Sequence, residues 1–466
     1  MNDHPLLDTD LPNGLRLLVV PDRTVPLVEI RLSIPFAGAG EAHAATAQVL
    51  GDVLLRPTDA APETRSTAWR VAELDCGRDM DRLGVFGYAP TASLRPVLRG
   101  LAACLAEPRY PDAWLGQARR RLAAQVGIGR GDARWMALAT ALRRRHAAGA
   151  TPCDIPTPEA LAAVEPAAVR ALHRSRIVPR GATLVLVGDV GLAEAAALVE
   201  EACAEWRGAG EPNALVPLLP PAAHELALLH RPRSAQAELL MTGQAPPRAH
   251  ELRPAFDIAN AVFGGGVASR LSRNVREAKG YAYLAGSAVE PLVDTPTVMV
   301  RLAVGERHVA AALRETRREL AALAESPLDR DESDSAKRLL AGRLALSRVS
   351  PSAHATFLAN LIAEGVGPRW TSSYPERLAA VGRAESLRAV RTYLSLDALD
   401  TVVVGDADAL AGPLGEIEGL RVRRYERLDE VTAAPAERSV GQAPGHPPTP
   451  VPSATPDIRH HQGEPA

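Results

Sequence analysis

The sequence predicts an α+β protein built from two homologous domains, and three observations carry that prediction. The first is a repeated closing strand: T-L-V-L-V-G-D at 183–189 is answered by T-V-V-V-G-D at 401–406. Each run is apolar, ends on glycine and aspartate, and lies between segments with helical apolar spacing, so each reads as a buried strand between two helices. The second is a repeated opening, in which strand-like runs at 15–20 and 28–34 return at 225–230 and 238–242. Beginnings and endings that match at an offset of roughly 210 to 220 residues indicate an internal duplication. The third is the stretch 207–224, which holds Pro212, Pro217, Pro220 and Pro221 and has no regular period, the composition of a linker. Strands alternate with long helices in both halves, an α+β arrangement. The expected domains are 1–206 and 225–430, followed by a tail at 431–466.

Taken in order, the runs 15–20 and 28–34 are joined through Pro21, Asp22 and Arg23 and have the look of an opening hairpin or meander. Residues 112–146 are rich in arginine and alanine and predict two helices broken near 127–132. The segments 307–326 and 329–349 are amphipathic helices by apolar spacing. From 431 onward there are eight prolines and no aromatic residue, too little apolar surface to order a chain, so His460 and His461 are expected in solvent rather than on a metal.

Composition narrows the function classes. At 466 residues the chain exceeds one ordinary core, and 46% apolar with 23% charged residues describes a globular protein. A net charge of −2 gives no footprint for nucleic acid or an anionic membrane. The first ten residues lack an apolar run, and no stretch reaches the length of a membrane helix, so a cytoplasmic location is expected. Cys76, Cys104, Cys153 and Cys203 lack C-x-x-C spacing and read as reduced packing residues. The basic residues are almost all arginine, with Lys279 and Lys337 the lysines, a bias of GC-rich bacterial genomes.

The stretch 259–287 carries the candidate chemistry. It reads as helix, glycine turn (Gly264, Gly265, Gly266), second helix at about 268–278, stop at Gly280, and strand from Tyr281. Arg276 falls in the last turn of the second helix and Tyr283 early in the strand, so guanidinium and phenol can converge on one cleft. Fixed donors beside a movable proton suit a developing oxyanion. The same two residues could equally be a surface ion pair of Arg276 with Glu277 or Asp294 and half-buried sheet packing by Tyr283. The glycines neither follow a strand nor precede G-K-S/T, so they are no phosphate loop. Ser269, Ser272 and Cys153 lack the setting of a nucleophile, and the two V-G-D strand ends are no nucleotide fingerprint.

The run S-R-L-x-x-x-V-R-E-x-K-G-x-A-Y after Gly-Gly-Gly resembles the C-terminal half of the pitrilysin/insulinase (M16) zinc peptidases, above all the M16B subfamily of mitochondrial processing peptidase and its bacterial relatives. The resemblance spans about 11–422. It implies that each chain is half of a clamshell, and that Arg276 and Tyr283 reach across to a zinc site carried elsewhere. Active members carry H-x-x-E-H on a helix of the first half, where two His bind zinc, Glu is the general base and a later Glu completes the ligands. The matching stretch here is A-Q-V-L-G-D-V-L-L-R-P-T at 47–58, with Gln48 and Asp52 at the two ligand positions and Gly51 at the base. No two histidines are spaced i, i+4, His43 is alone on the segment, and 108–158, where the third ligand belongs, holds no Glu. No metal is therefore expected on this chain.

The resemblance implies a non-catalytic subunit of a heterodimeric zinc endopeptidase. An H-x-x-E-H partner would hold the zinc, Arg276 would bind substrate, Tyr283 would stabilise the oxyanion, and the substrate would be an unfolded peptide, by analogy a leader peptide of a ribosomal peptide natural product. A second expectation is a structural pseudopeptidase resembling the core subunits of respiratory complex III. A self-sufficient peptidase lacks both base and ligand triplet.

Overall fold

The computed structural model describes residues 5–56, 62–146, 151, 155–208, 218–219, 221–222, 224–292, 295–326 and 328–432. Most of the expected linker, the tail beyond 432, Pro57, Thr58, Cys153 and Asp294 lie outside the described residues.

Two six-stranded sheets form the frame. The first contains β1 (Leu7–Asp10), β2 (Arg16–Pro21), β3 (Leu27–Pro35), β4 (Glu73–Arg78), β5 (Arg82–Pro90) and β6 (Thr183–Gly188), in the order β1-β2-β6-β3-β5-β4. The second contains β7 (Glu225–His230), β8 (Gln236–Gln244), β9 (Ala282–Leu292), β10 (Thr295–Gly305), β11 (Asp400–Gly405) and β12 (Arg421–Tyr425), in the order β12-β7-β11-β8-β10-β9. From the second position on, the two orders correspond strand for strand. They differ at the first, where β1 runs antiparallel to β2 but β12 runs parallel to β7.

The expected opening hairpin is corrected by this topology. β2 and β3 do not pair; β6 lies between them, parallel to β2 and antiparallel to β3. The cause is legible in burial. β6 is buried at nearly every position, on both faces, so it takes the centre of the sheet with a ladder on each side, whereas β3 alternates buried and partly exposed residues. β11 likewise separates β7 from β8. The repeated closing strands are thus the central strands of both sheets.

Each half covers the other's sheet. The helix Ala133–Arg145 leaves the first half and packs Ala137 and Ala141 against Leu229, Leu240, Val402 and Val404 of the second sheet. The helix Pro351–Ala363 returns the exchange on β3 and β6, where Arg31 donates to Ser352 Oγ at 2.8 Å and to Thr356 Oγ1 at 3.0 Å. Leu18, Val20, Val185 and Val187 of the first sheet join one apolar core with Leu358 and Leu361. A buried ion pair closes the other crossing: Arg144 donates to Asp400 at 2.8 and 3.0 Å and to Glu225 at 2.8 Å. Burial opposes charge on Arg144, but the carboxylates of Asp400 and Glu225 outweigh it and hold the guanidinium's pKa above its ordinary value.

Candidate functional site

The glycine turn is set by close approach. The helix Arg253–Phe263 ends with the Gly264 and Gly265 N–H groups both donating to the Asn260 carbonyl at 2.9 Å. A Cβ on Gly264 would lie 2.7 Å from the backbone N and Cβ of Ser287, and one on Gly265 would lie 2.8 Å from Ala261 Cα. Only glycine lets the helix end meet β9, where Ser287 N–H donates to the Gly264 carbonyl at 2.9 Å. The next helical segment begins at Arg270, two residues later than expected, and residues Ser272–Ala278 are wound as a π-helix. Its wider turn brings the Lys279 N–H to the Asn274 carbonyl at 3.1 Å, and Gly280 with φ +63° makes the exit, after which the Tyr281 N–H closes on the Val275 carbonyl at 2.9 Å.

Tyr283 occupies a β-bulge. Ala303 of β10 pairs with Leu284 and Val304 with Ala282, so Tyr283 is the extra residue between them. A bulge turns two consecutive side chains to one side, and Tyr283 and Leu284 are both exposed, Tyr283 at 88%. Arg276 is also exposed, and both it and Tyr283 line a cleft of about 700 Å³ with the glycine turn, Val267, Met299 and Arg301. On the wall, Arg301 is held by Glu238 at 2.8 Å. The side chains of Arg276 and Tyr283 make no hydrogen bond or ion pair with a described residue, so the surface pairing with Glu277 does not form. The cleft therefore presents a guanidinium and a phenol as unused donors. Among its described lining residues the one carboxylate is Glu290, which lies on the same strand as Tyr283.

Gln48, Gly51 and Asp52, the residues expected at the zinc-motif positions, lie on the helix Gly40–Leu54, which follows β3 as the helix Arg253–Phe263 follows β8. Asp52 accepts from Arg56 at 2.6 Å and from Arg121, which projects from the helix Asp112–Arg130. Gln48 Oε1 is buried with no hydrogen-bond partner among the described residues. A Cβ on Gly51 would meet Cys76 Sγ and Leu83 Cδ1 at 3.9 Å, ordinary contact with no carboxyl to replace. These residues do not fit zinc: one side chain is neutral, one is absent, and the carboxylate is engaged by two cations. His43 packs beside Phe36, its Nε2 has no described partner, and burial lowers its pKa.

His230, Asp406 and Asp408 also gather within 4.8 Å, a grouping that the sequence does not signal although Asp406 ends the second V-G-D run. Their atoms are engaged in capping. His230 Nδ1 accepts the Ala407 N–H at 3.0 Å, Asp406 accepts those of Arg233 at 2.7 Å and Asp408 at 3.2 Å, and Asp408 binds Arg424 at 2.8 Å. The described cysteines are unpaired, and burial pushes the thiols of Cys76, Cys104 and Cys203 up to about 12, which leaves them unreactive.

Comparison with known proteins bears on this arrangement. Residues 163–340 match the Peptidase M16 inactive domain. That M16 match spans the linker, the glycine turn, Arg276 and Tyr283. A segment of 191 residues is 27% identical to an uncharacterized zinc protease of Mycobacterium tuberculosis (strain ATCC 25618 / H37Rv), covering 39% of this chain and 42% of that protein. Less than half of that relative is thus matched. The fold is shared more widely. A peptidase M16 inactive domain from Pseudomonas fluorescens superimposes with a TM-score of 0.77 at 18% identity, over 86% of this chain and 98% of the other. A chain in the structure of complex III2 from Candida albicans with Inz-5 bound gives 0.72 at 12% identity, over 87% and 97%. The two-sheet frame is therefore the M16 clamshell-half fold. Among the described residues no helix is long and apolar enough to cross a membrane.

Proposed function

We propose that this chain is the non-catalytic subunit of a heterodimeric M16B-type zinc endopeptidase in a bacterial cytoplasm. The partner carries H-x-x-E-H and the zinc; this chain supplies Arg276 and Tyr283. The observation that carries the reading is their joint presentation, exposed and unpaired, in one cleft beside the edge strand β9. Arg276 holds a substrate carbonyl or the C-terminal side of the cleaved segment, and Tyr283 donates to the tetrahedral oxyanion. The substrate is an unfolded peptide, with leader peptides of ribosomal peptide natural products as one class. Because the Ser287 N–H is already taken by Gly264, a peptide strand that reaches Tyr283 pairs along β9 only up to Ser287.

The test is reconstitution. Mixed with an H-x-x-E-H chain from the same genome, the protein should form a one-to-one complex by sedimentation and raise cleavage of an unfolded peptide far above that of the partner alone. A complex that forms without any rise in cleavage would favour a structural role instead.

A further inference from the structure

Beside the glycine turn runs the helix Arg330–Leu346: Leu339 lies against Gly266, and Arg343 donates to the Gly265 carbonyl. The C-terminal half of this helix and the turns after it carry an uncovered aliphatic stripe. Leu346 is 67% exposed and Val349 75%, and Leu339 connects them to Val267, 73% exposed, at the cleft rim. The same stretch is unbalanced in charge. Between Ser335 and Ser350 the chain holds Lys337, Arg338, Arg343 and Arg348 and no Asp or Glu. None of the four forms an ion pair with a described residue; Lys337, Arg338 and Arg343 bind only neutral oxygens. Nearer the start of the helix the opposite holds, for Glu332 is clasped by Arg270 at 2.6 Å and Arg273 at 3.1 Å.

Size decides what such a surface takes. A stable interface with a folded partner buries about 800 Å² on each side, and four aliphatic side chains supply a fraction of that. From Leu339 to Leu346 is about 10 Å at helical rise, the span of roughly three residues of extended chain. We propose that this stripe is a second binding surface for the peptide substrate, taking a short acidic, aliphatic segment that continues out of the cleft. Its carboxylates face Arg338, Arg343 and Arg348, and its aliphatic side chains lie on Leu339, Leu346 and Val349. The assignment rests on the proposed function and adds a substrate class to it.

The test uses the full chain alone and two fluorescein-labelled peptides, one containing Asp, Glu, Leu and Val, the other its Asn and Gln counterpart, followed by anisotropy. The acidic peptide should bind at least about tenfold more tightly, with the advantage shrinking as salt screens the charges. Leu346→Ser with Val349→Ser should weaken binding of both peptides, and separately Arg348→Glu should abolish the preference, neither changing thermal unfolding. Equal binding of both peptides overturns the inference. So does a wild-type chain that ignores peptide but binds phosphatidylglycerol vesicles through the same residues. Failure of the proteolytic reading is seen separately, as absent stimulation of the H-x-x-E-H chain by a protein that still prefers the acidic peptide.

Discussion

Arg121 reaches from the helix Asp112–Arg130 to the carboxylate of Asp52, on the helix that carries Gln48 and Gly51. Together with Arg56 it places positive charge beside the stretch that resembles a zinc motif. Restoring the motif alone, by Gln48→His, Gly51→Glu and Asp52→His, should not create a zinc site, because two nearby guanidiniums repel the ion by several kcal/mol. Adding Arg121→Glu removes one cation and supplies a carboxylate, and should allow zinc to bind. Metal analysis after dialysis checks both. Stoichiometric zinc on the triple variant would refute this account of the site.

Gly51 offers a stabilising substitution. It lies inside a helix, and a Cβ there meets neighbours only at 3.9 Å. Gly51→Ala should raise stability by about 0.5–1 kcal/mol, seen as a higher urea midpoint with an unchanged slope.

The crossing of the two halves depends on Arg144. Its side chain and that of Asp400 are fully buried, so Arg144→Ala leaves an uncompensated carboxylate and should destabilise the protein by about 3–5 kcal/mol. The loss should appear in one cooperative transition, since both sheets share the exchanged helices. Two separate transitions in the variant would show that the halves fold independently.

Acid stability should report on His173. The ring is buried; its Nε2 bonds the Leu105 carbonyl at 3.0 Å and its Nδ1 faces the Tyr110 hydroxyl, an arrangement of the neutral imidazole. Burial lowers its pKa to about 4 from 6.5. Above 6.5 both folded and unfolded chains hold it neutral, so the penalty is absent. As pH falls from 6.5 towards 4 the unfolded chain binds a proton that the folded one refuses, and stability falls by up to about 3 kcal/mol. His173→Gln should flatten that slope in denaturant titrations run between pH 7 and 4.

Much of the frame is legible in the sequence because it rests on periodicity. The central strands β6 and β11 declare themselves as repeated apolar runs, and Gly264 and Gly280 as breaks that other residues cannot make. Strand order is not legible, since the neighbours of β2 are chosen by burial of β6 and not by proximity along the chain. At the site, Arg276 and Tyr283 can be named from their motif, yet no residue signals that Tyr283 is the extra member of a bulge. That feature arises from the register between β9 and β10. Arg121 is likewise not legible, because a guanidinium from a distant helix reads as one more surface charge.

The most direct test of the central claim is the rate of peptide cleavage by the reconstituted complex with wild type, Arg276→Ala and Tyr283→Phe. If the chain completes the partner's active site, each substitution should lower the rate by about two to three orders of magnitude, the loss typical of one oxyanion donor, while complex formation is unchanged. Substituted chains that stimulate cleavage as well as wild type would contradict the claim.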